Sequence, residues 1–403
     1  MQKSRYNLSG LTMKMNFKKI IYPVFSVTFF LFLCFSAYSF VVLQKCSNFY
    51  HFVKNPYKGW EGLVHQADPE LGYRAMSNVS GAENITIGEP VPMKYDKNGY
   101  RIPLSYTDID FNKRPLILFI GDSFTYGSAC VAEDTFPFIV GKDMNASVIN
   151  TGTISYGFAQ MLIIARELIP KYKPDFVVFQ SSPWLLARAL EMYRATTTVK
   201  VPMPYIYSKG VRQYAVRYPV FVTNSFALPI EKYKKTAESF NDYVGFLFEV
   251  GVPFYVYDDW NTLKTKFLLT IGRIPKPVDK DFRDVETWIY EEIYNICHKN
   301  NAKLVVCFLG NKGWGRTYTE QLKFTSDFII VDAESVLWEK LSDKTQTGYD
   351  NKYKHWRGNP SVMVDHHPNP EAHKIIADAI YKGIVEKYEI LKKRQELLNK
   401  VRK

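Results

Sequence analysis

Three short stretches of this 403-residue chain carry residue types suited to nucleophilic and acid–base chemistry. The first is Gly121-Asp122-Ser123-Phe124-Thr125, which follows the apolar run Pro115–Gly121 and precedes a turn at Gly127. A serine at such a strand-to-loop corner is exposed, and the N–H groups around it can point at one spot, which suits a developing oxyanion. The same tripeptide also fits an ordinary Asx-type turn ending a strand. The second stretch is Asn150-Thr151-Gly152, followed by Tyr156-Gly157 and Gln160. Gly152 lets the backbone approach a substrate with no Cβ in the way, and its N–H is a candidate second oxyanion donor. These residues also read as a plain turn that starts a helix. The third is Asp365-His366-His367-Pro368-Asn369-Pro370, running on to His373. Asn369 fits a helix N-cap and Pro370 the first helical position. His367 then sits on a loop just before the helix, and Asp365 can bond its far ring nitrogen. That bond sets the tautomer and supports the imidazolium formed on proton transfer. An Asp-His surface turn is the plainer alternative. Three histidines so close raise the thought of a metal, but His373 falls inside the helix with a different direction, and no Cys/His spacing elsewhere suggests zinc. No metal and no cofactor are expected.

The elements that must position these residues follow from the pattern of apolar runs. Pro115–Gly121, Ser147–Asn150, Asp175–Phe179, Ala302–Leu309 and Asp327–Val331 are short and apolar, and between them lie helical patterns such as Phe158–Tyr172 and Val285–Asn300. Strand alternating with helix predicts an α/β fold, a parallel sheet with helices on both faces, whose site lies at the carboxyl ends of the strands. Residues 189–280 interrupt this rhythm with seven prolines and many aromatics, which predicts an insertion over the site, a lid or an acceptor-binding wall. Residues 44–112, rich in Gly, Pro, Asn and Asp, predict strands and turns without long helices.

In the order Ser, then Asn/Gly, then Asp and His near the C-terminus, the chain resembles the SGNH/GDSL hydrolases, single-anchor bacterial type, over Arg114–Val385. Asp68-Pro-Glu-Leu-Gly-Tyr73 and Lys97-Asn-Gly-Tyr-Arg101 resemble the lead-in seen before that domain in many bacterial members. The resemblance implies a flavodoxin-like three-layer α/β/α fold. It also implies Ser123 as nucleophile, His367 as base, Asp365 as its orienting acid, and the Ser123 and Gly152 amides as oxyanion donors. The chain departs from the family where an Asn usually follows the third strand: here it reads Gln180-Ser-Ser-Pro-Trp-Leu185. Gln180 or Ser182 is the candidate replacement donor. Positions two apart on an extended chain share a face, so Trp184 joins them as an apolar or sugar-stacking wall. Asp-x-His spacing also differs from the usual Asp-x-x-His.

Ile20–Leu43 contains no charged residue and, as a helix, is long enough to cross a hydrocarbon core of about 30 Å. Lys14, Lys18 and Lys19 precede it, which favours a cytoplasmic N-terminus. The run is longer than a signal-peptide core and lacks a good cleavage site. The expected organisation is thus a cytoplasmic segment (1–19), a transmembrane helix (20–43), an extracytoplasmic lead-in (44–112) and the hydrolase-like domain (113–403). The net charge of +12 sits at the two ends, +5 over residues 1–19 and +4 over 389–403. A nucleic-acid-binding face on the folded domain is therefore not expected. Cys297 and Cys307 read as buried free thiols rather than a disulfide, and the Asn-x-Ser/Thr triplets at Asn78, Asn84 and Asn145 carry little weight. By resemblance, the expected activity is ester hydrolysis or O-acyl transfer, acetyl being the acyl group and a carbohydrate the substrate. The alternative is a non-catalytic glycan-binding or envelope-assembly protein on the same fold.

Overall fold

The computed structural model describes residues 17–54, 64–83, 87–195, 200–222, 232–233, 236–278, 282–310 and 328–401. Asn84, and the basic residues Lys3, Arg5 and Lys14 ahead of the apolar run, lie outside them. Among the described residues, eight strands form the central sheet: β1 (Ser80–Glu83), β2 (Val91–Tyr95), β3 (Arg101–Ile102), β4 (Leu116–Ile120), β5 (Ser147–Asn150), β6 (Phe176–Ser181), β7 (Lys303–Phe308) and β8 (Ile329–Val331). Their spatial order is β8-β7-β6-β4-β5-β3-β2-β1. Strands β4 to β8 are parallel, while β1 to β3 add an antiparallel edge. Taken alone, the parallel strands follow the flavodoxin-like order 2-1-3-4-5, whose ligand-binding switch point lies at the carboxyl end of the first of them. In this chain that strand is β4, and Ser123 follows it.

The helices are α1 (Phe17–Lys54), α2 (Ser123–Tyr126), α3 (Phe136–Asp143), α4 (Phe158–Tyr172), α5 (Pro183–Ala189), α6 (Phe240–Phe246), α7 (Val252–Thr270), α8 (Phe282–Lys299), α9 (Ala333–Glu339), α10 (Gln346–Tyr353) and α11 (Pro370–Val401). Helices α4 and α8 cover one face of the sheet, and α3, α9 and α11 the other. The three-layer α/β/α fold expected from the sequence is the one observed. All five residues of β4, Leu-Ile-Leu-Phe-Ile, are fully buried, as a strand covered on both faces must be. At about 1.5–3 kcal/mol for each such side chain, this strand alone is a large part of the driving force. Phe158, Met161, Leu162, Ala165, Leu168 and Ile169 recur at helical spacing and bury one face of α4 against it.

Two expectations need correction. The segment from residue 44 does not start as turns: α1 continues to Lys54, because Val42, Cys46, Phe49, Tyr50 and Val53 recur at three- and four-residue spacing and find an apolar partner. Beyond it, the lead-in contributes β1–β3 to the sheet itself and a hairpin of His65–Asp68 with Gly72–Ala75. The described part of the insertion, in turn, does not form a lid or a wall over the site. Its strands Lys200–Pro202 and Tyr205–Gly210 send Val201 and Ile206 into the main core. Helices α6 and α7 pack on α1. Among the described residues, none from 189–280 lines the cavity above Ser123. The five cysteines are free, Cys297 and Cys307 being buried.

Candidate active site

The turn after β4 begins with Asp122, whose Oδ1 accepts from the Phe124 N–H at 3.0 Å and caps the single turn α2. Ser123 is the first residue of that turn, 4% exposed, at the floor of the cavity. The turn closes at Gly127, left-handed at φ 83°, whose N–H donates to the Ser123 carbonyl at 2.9 Å. Gly121 cannot carry a side chain, since a Cβ there would lie 2.0 Å from Thr125 Oγ1.

The histidine arrives from the other end of the chain. Val362–Asp365 pairs with His355–Arg357 as a short hairpin. Asn369 then accepts from the Ala372 N–H (3.0 Å) and ties back to the Lys352 and Lys354 carbonyls. As the sequence predicts, α11 begins at Pro370. Between hairpin and helix, the Ser123 hydroxyl donates to His367 Nε2 at 2.9 Å, and His367 Nδ1–H donates to Asp365 Oδ1 at 2.7 Å. The same carboxylate oxygen accepts the His367 backbone N–H at 2.7 Å, which fixes the ring's height as well as its tautomer. Burial would lower the imidazole's pKa, but the Asp365 hydrogen bond and charge, with Asp122 and Glu83 farther off, hold it above its ordinary value. Burial likewise pushes the Asp365 carboxyl up, and bonding to His367 outweighs it, leaving it below the usual carboxylate range. Both directions describe a pair that favours imidazolium beside carboxylate.

The neighbouring His373 takes no part. It is fully buried in α11, its Nδ1 accepts from the Phe136 N–H at 3.2 Å, and burial pushes its pKa down to about 3.

The expected oxyanion donors fare differently from the triad. The Gly152 N–H is taken by Asn150 Oδ1 at 2.9 Å, and the Asn150 amide in turn donates to the Thr125 carbonyl at 3.0 Å. Gly152 is a glycine because the two loops touch: a Cβ would sit 2.3 Å from the Tyr126 nitrogen. Its small size serves loop packing, not access for substrate. Gln180 and Ser182 are also misassigned by the sequence. Both Gln180 Nε2 hydrogens are used, one on Asp122 Oδ1 and one on Ser182 Oγ, each at 2.8 Å. Gln180 Oε1 collects the Asp122 N–H and the Thr125 N–H and hydroxyl. Gln180 and Ser182 are buried beneath the cavity and do not line it. The remaining expected donor, the Ser123 N–H, belongs to the first residue of the helical turn α2.

Trp184 lines the cavity from the first turn of α5, not from a continued strand shared with Gln180 and Ser182, and contacts Phe124 (ring centroids 5.1 Å apart). Its indole N–H is spent on Asp122 Oδ2 at 2.6 Å. Arg188, four residues on and on the same face of α5, reaches the same oxygen at 2.7 Å. Asp122, wholly buried, thus accepts from Phe124, Gln180, Trp184 and Arg188. Sequence reasoning treated Asp122 only as part of a motif and missed Arg188, although the Trp184/Arg188 spacing was there to read.

The cavity has a volume of about 680 Å³, and Trp338, Tyr349 and Lys354 complete its far side with Glu334 and Asp350. The Lys354 ammonium lies 5.4 Å from the centres of both the Phe124 and Tyr349 rings. Burial lowers its pKa. The lead-in supports this site from below. Arg101, itself buried, donates to the carbonyls of Tyr126 (2.6 Å) and Gly127 (2.9 Å) in the loop after Ser123. Tyr73 donates to the Ile154 carbonyl in the loop after Asn150.

No family model and no curated protein sequence matches this chain. Among solved structures, it is similar to an acetylxylan esterase from Geobacillus stearothermophilus (TM-score 0.33, 11% identity, covering 68% of this chain and 94% of that one). It is similar also to the psychrotrophic esterase EstA from Pseudoalteromonas sp. (TM-score 0.32, 10% identity, 68% and 99% covered). A third is a carbohydrate esterase family 2 enzyme from Corynascus thermopiles (TM-score 0.32, 12% identity, 75% and 72% covered). Likeness this distant carries no argument; the strand order and the convergence of Ser123, His367 and Asp365 stand on the structure itself.

Proposed function

We propose that the chain is a membrane-anchored serine esterase or O-acyltransferase that works through an acyl-Ser123 intermediate. The observation that carries this reading is the continuous relay from Ser123 Oγ through His367 to Asp365 at 2.9 and 2.7 Å, opening into a cavity large enough for a substrate. In the first half-reaction, His367 Nε2 takes the hydroxyl proton as Oγ attacks the ester carbonyl. It then returns the proton to the leaving alkoxide. The Ser123 N–H faces the charge that develops on the carbonyl oxygen. Water or a sugar hydroxyl repeats the sequence on the acyl-enzyme, giving hydrolysis or transfer respectively.

The aromatic lining by Phe124, Trp184, Trp338 and Tyr349 supports a carbohydrate substrate, since rings offer flat apolar faces to sugars, and a small acyl group such as acetyl fits the resemblance. Helix α1 is long and apolar enough to cross a membrane. Its side chains from Tyr22 to Leu33 are exposed, which supports a bilayer span, and the lysines Lys14, Lys18 and Lys19 before it favour a cytoplasmic N-terminus with the catalytic domain on the other side. The commitment of the Gly152 and Gln180 amides to internal bonds favours the second reading, a non-catalytic glycan-binding protein. The two separate on one experiment. The full chain in detergent micelles is expected to release acetate from an aryl acetate and from an O-acetylated polysaccharide, and Ser123→Ala and His367→Ala to abolish both. Binding of the polysaccharide with no turnover in the unsubstituted chain would establish the second reading.

A further inference from the structure

Helices α6 and α7 form one continuous rod from Phe240 to Thr270, broken only by a π turn at Leu247–Gly251. One face of the rod, with Phe246, Val250 and Phe254, is buried against Val42, Cys46, Phe49, Tyr50 and Val53 of α1. Two acidic residues fix the register. Asp242 accepts from Tyr50 Oη at 2.8 Å and pairs with Lys54, while Asp259 pairs with Lys45 at 3.4 Å and accepts from Tyr38 Oη at 3.3 Å. The rod therefore runs antiparallel to α1, and Asp259 stands level with residues 38–45. That is the outer end of the uncharged run, which closes at Leu43.

Beyond Asp259, among the described residues, the rod leaves further large apolar side chains bare, as it does earlier at Phe248, Val256 and Tyr257. Trp260, Leu263, Phe267 and Ile271 lie three and four residues apart, on one face of the helix, and are between 49% and 66% exposed. Asp258 and Thr265, on the opposite face, are buried. Lys264 and Lys266 are exposed beside the stripe. A bare apolar stripe of this kind on a folded domain marks a binding surface. Its position selects the occupant, because the antiparallel rod carries these residues alongside the outer part of the apolar run of α1. We propose that the exposed face of α7, running antiparallel beside the outer turns of α1, dips into the outer leaflet, an interfacial helix tilted along α1 and not lying flat. Trp260 sits at headgroup level, Leu263, Phe267 and Ile271 reach toward the acyl chains, and Lys264 and Lys266 extend to lipid phosphates. The insertion thus fixes the height and tilt of the catalytic domain above the membrane. This rests on the reading of α1 as a bilayer span, and not on the ester-transfer chemistry.

The test uses the full chain in lipid nanodiscs containing an anionic phospholipid, in a Cys34→Ala background so that no exposed native thiol remains. Nitroxide labels at Leu263→Cys and Phe267→Cys are compared with a label at Val211→Cys, a hairpin position 93% exposed, and at Phe29→Cys within α1. Collisions with dissolved oxygen and with a water-soluble nickel chelate are measured at each. The expected result is an oxygen-to-nickel ratio several-fold higher at 263 and 267 than at 211, approaching that at 29. Ratios at 263 and 267 equal to that at 211, with 29 in lipid, would overturn the interfacial helix and leave the span standing. Shielding of 263 and 267 from both reagents would overturn it in favour of a second protein copy on this face. A label at 29 that collides freely with nickel would remove the span and the interfacial helix together. Esterase activity enters none of these readouts.

Discussion

The two halves of the candidate active site are built on different physical principles. The nucleophile corner is a buried polar network: Asp122 lies beneath the surface and satisfies donors from Phe124, Gln180, Trp184 and Arg188 at 2.6–3.0 Å. The base stands on a partly exposed bend between a short hairpin and α11, and its geometry depends on Asp365 and on the Asn369 cap. Burial makes the first half expensive to disturb, because a stranded charge or amide has no water to turn to. The second half has solvent nearby, so damage there should show in chemistry and not in folding. The comparison implies that substitutions in the two halves separate on two axes, turnover and stability.

His367→Ala should have the largest effect, lowering kcat by about 10⁴–10⁶-fold with little change in the unfolding midpoint. A loss of stability comparable to that of a core substitution would break the contrast. Asp365→Asn should lower kcat by about 10⁴-fold through the wrong tautomer, again in a stable protein. It should also move the acid limb of the pH–rate profile. Because Asp365 holds the His367 pKa above the ordinary 6.5, the unsubstituted chain should gain activity only as pH rises through a midpoint above 6.5. Without the carboxylate, that midpoint should fall. The sign for stability is opposite for the two partners. The raised His367 pKa contributes stability below about 6.5 that is lost as pH rises through the folded value. The lowered Asp365 pKa contributes stability above about 4 that is lost as pH falls through the folded value.

On the other axis, Asp122→Ala should destabilise the fold by about 3–5 kcal/mol, since it strands the Arg188 guanidinium and the Trp184 and Gln180 N–H groups. Urea unfolding monitored by circular dichroism measures this. Gln180→Ala should cost about 1–3 kcal/mol for the same reason, and kcat should fall far less than in the base substitutions. A kcat loss of about 100-fold or more with unchanged stability would restore Gln180 as an oxyanion donor.

Much of this was legible in the sequence, and the residues show where legibility stopped. The triad was readable because its parts are set by local rules: an apolar run ending in Gly121-Asp122-Ser123, and an Asn369-Pro370 cap that places His367 just outside a helix. The parallel sheet with helices on both faces followed from alternating runs, whereas the flavodoxin-like arrangement came only from the family resemblance. The oxyanion side was not readable, because spacing puts Gly152 and Gln180 near Ser123 without saying where their N–H groups point. Asn150 and Asp122 claim those groups, and that depends on tertiary contacts. Nor could spacing show that the 189–280 insertion packs beside α1. Its apolar residues look the same whether they face a substrate, a core or another helix. The extension of α1 to Lys54 was written in Phe49, Tyr50 and Val53, but was outweighed by the Gly- and Pro-rich stretch that follows.

The central claim, that Ser123 is an activated nucleophile, is tested most directly by covalent capture. The full chain is treated with a fluorophosphonate, digested, and the adduct located by mass spectrometry. A single phosphonyl adduct on Ser123 is predicted, absent in Ser123→Ala and formed orders of magnitude more slowly in His367→Ala. An adduct on another residue, or ester turnover undiminished in Ser123→Ala, would contradict the assignment.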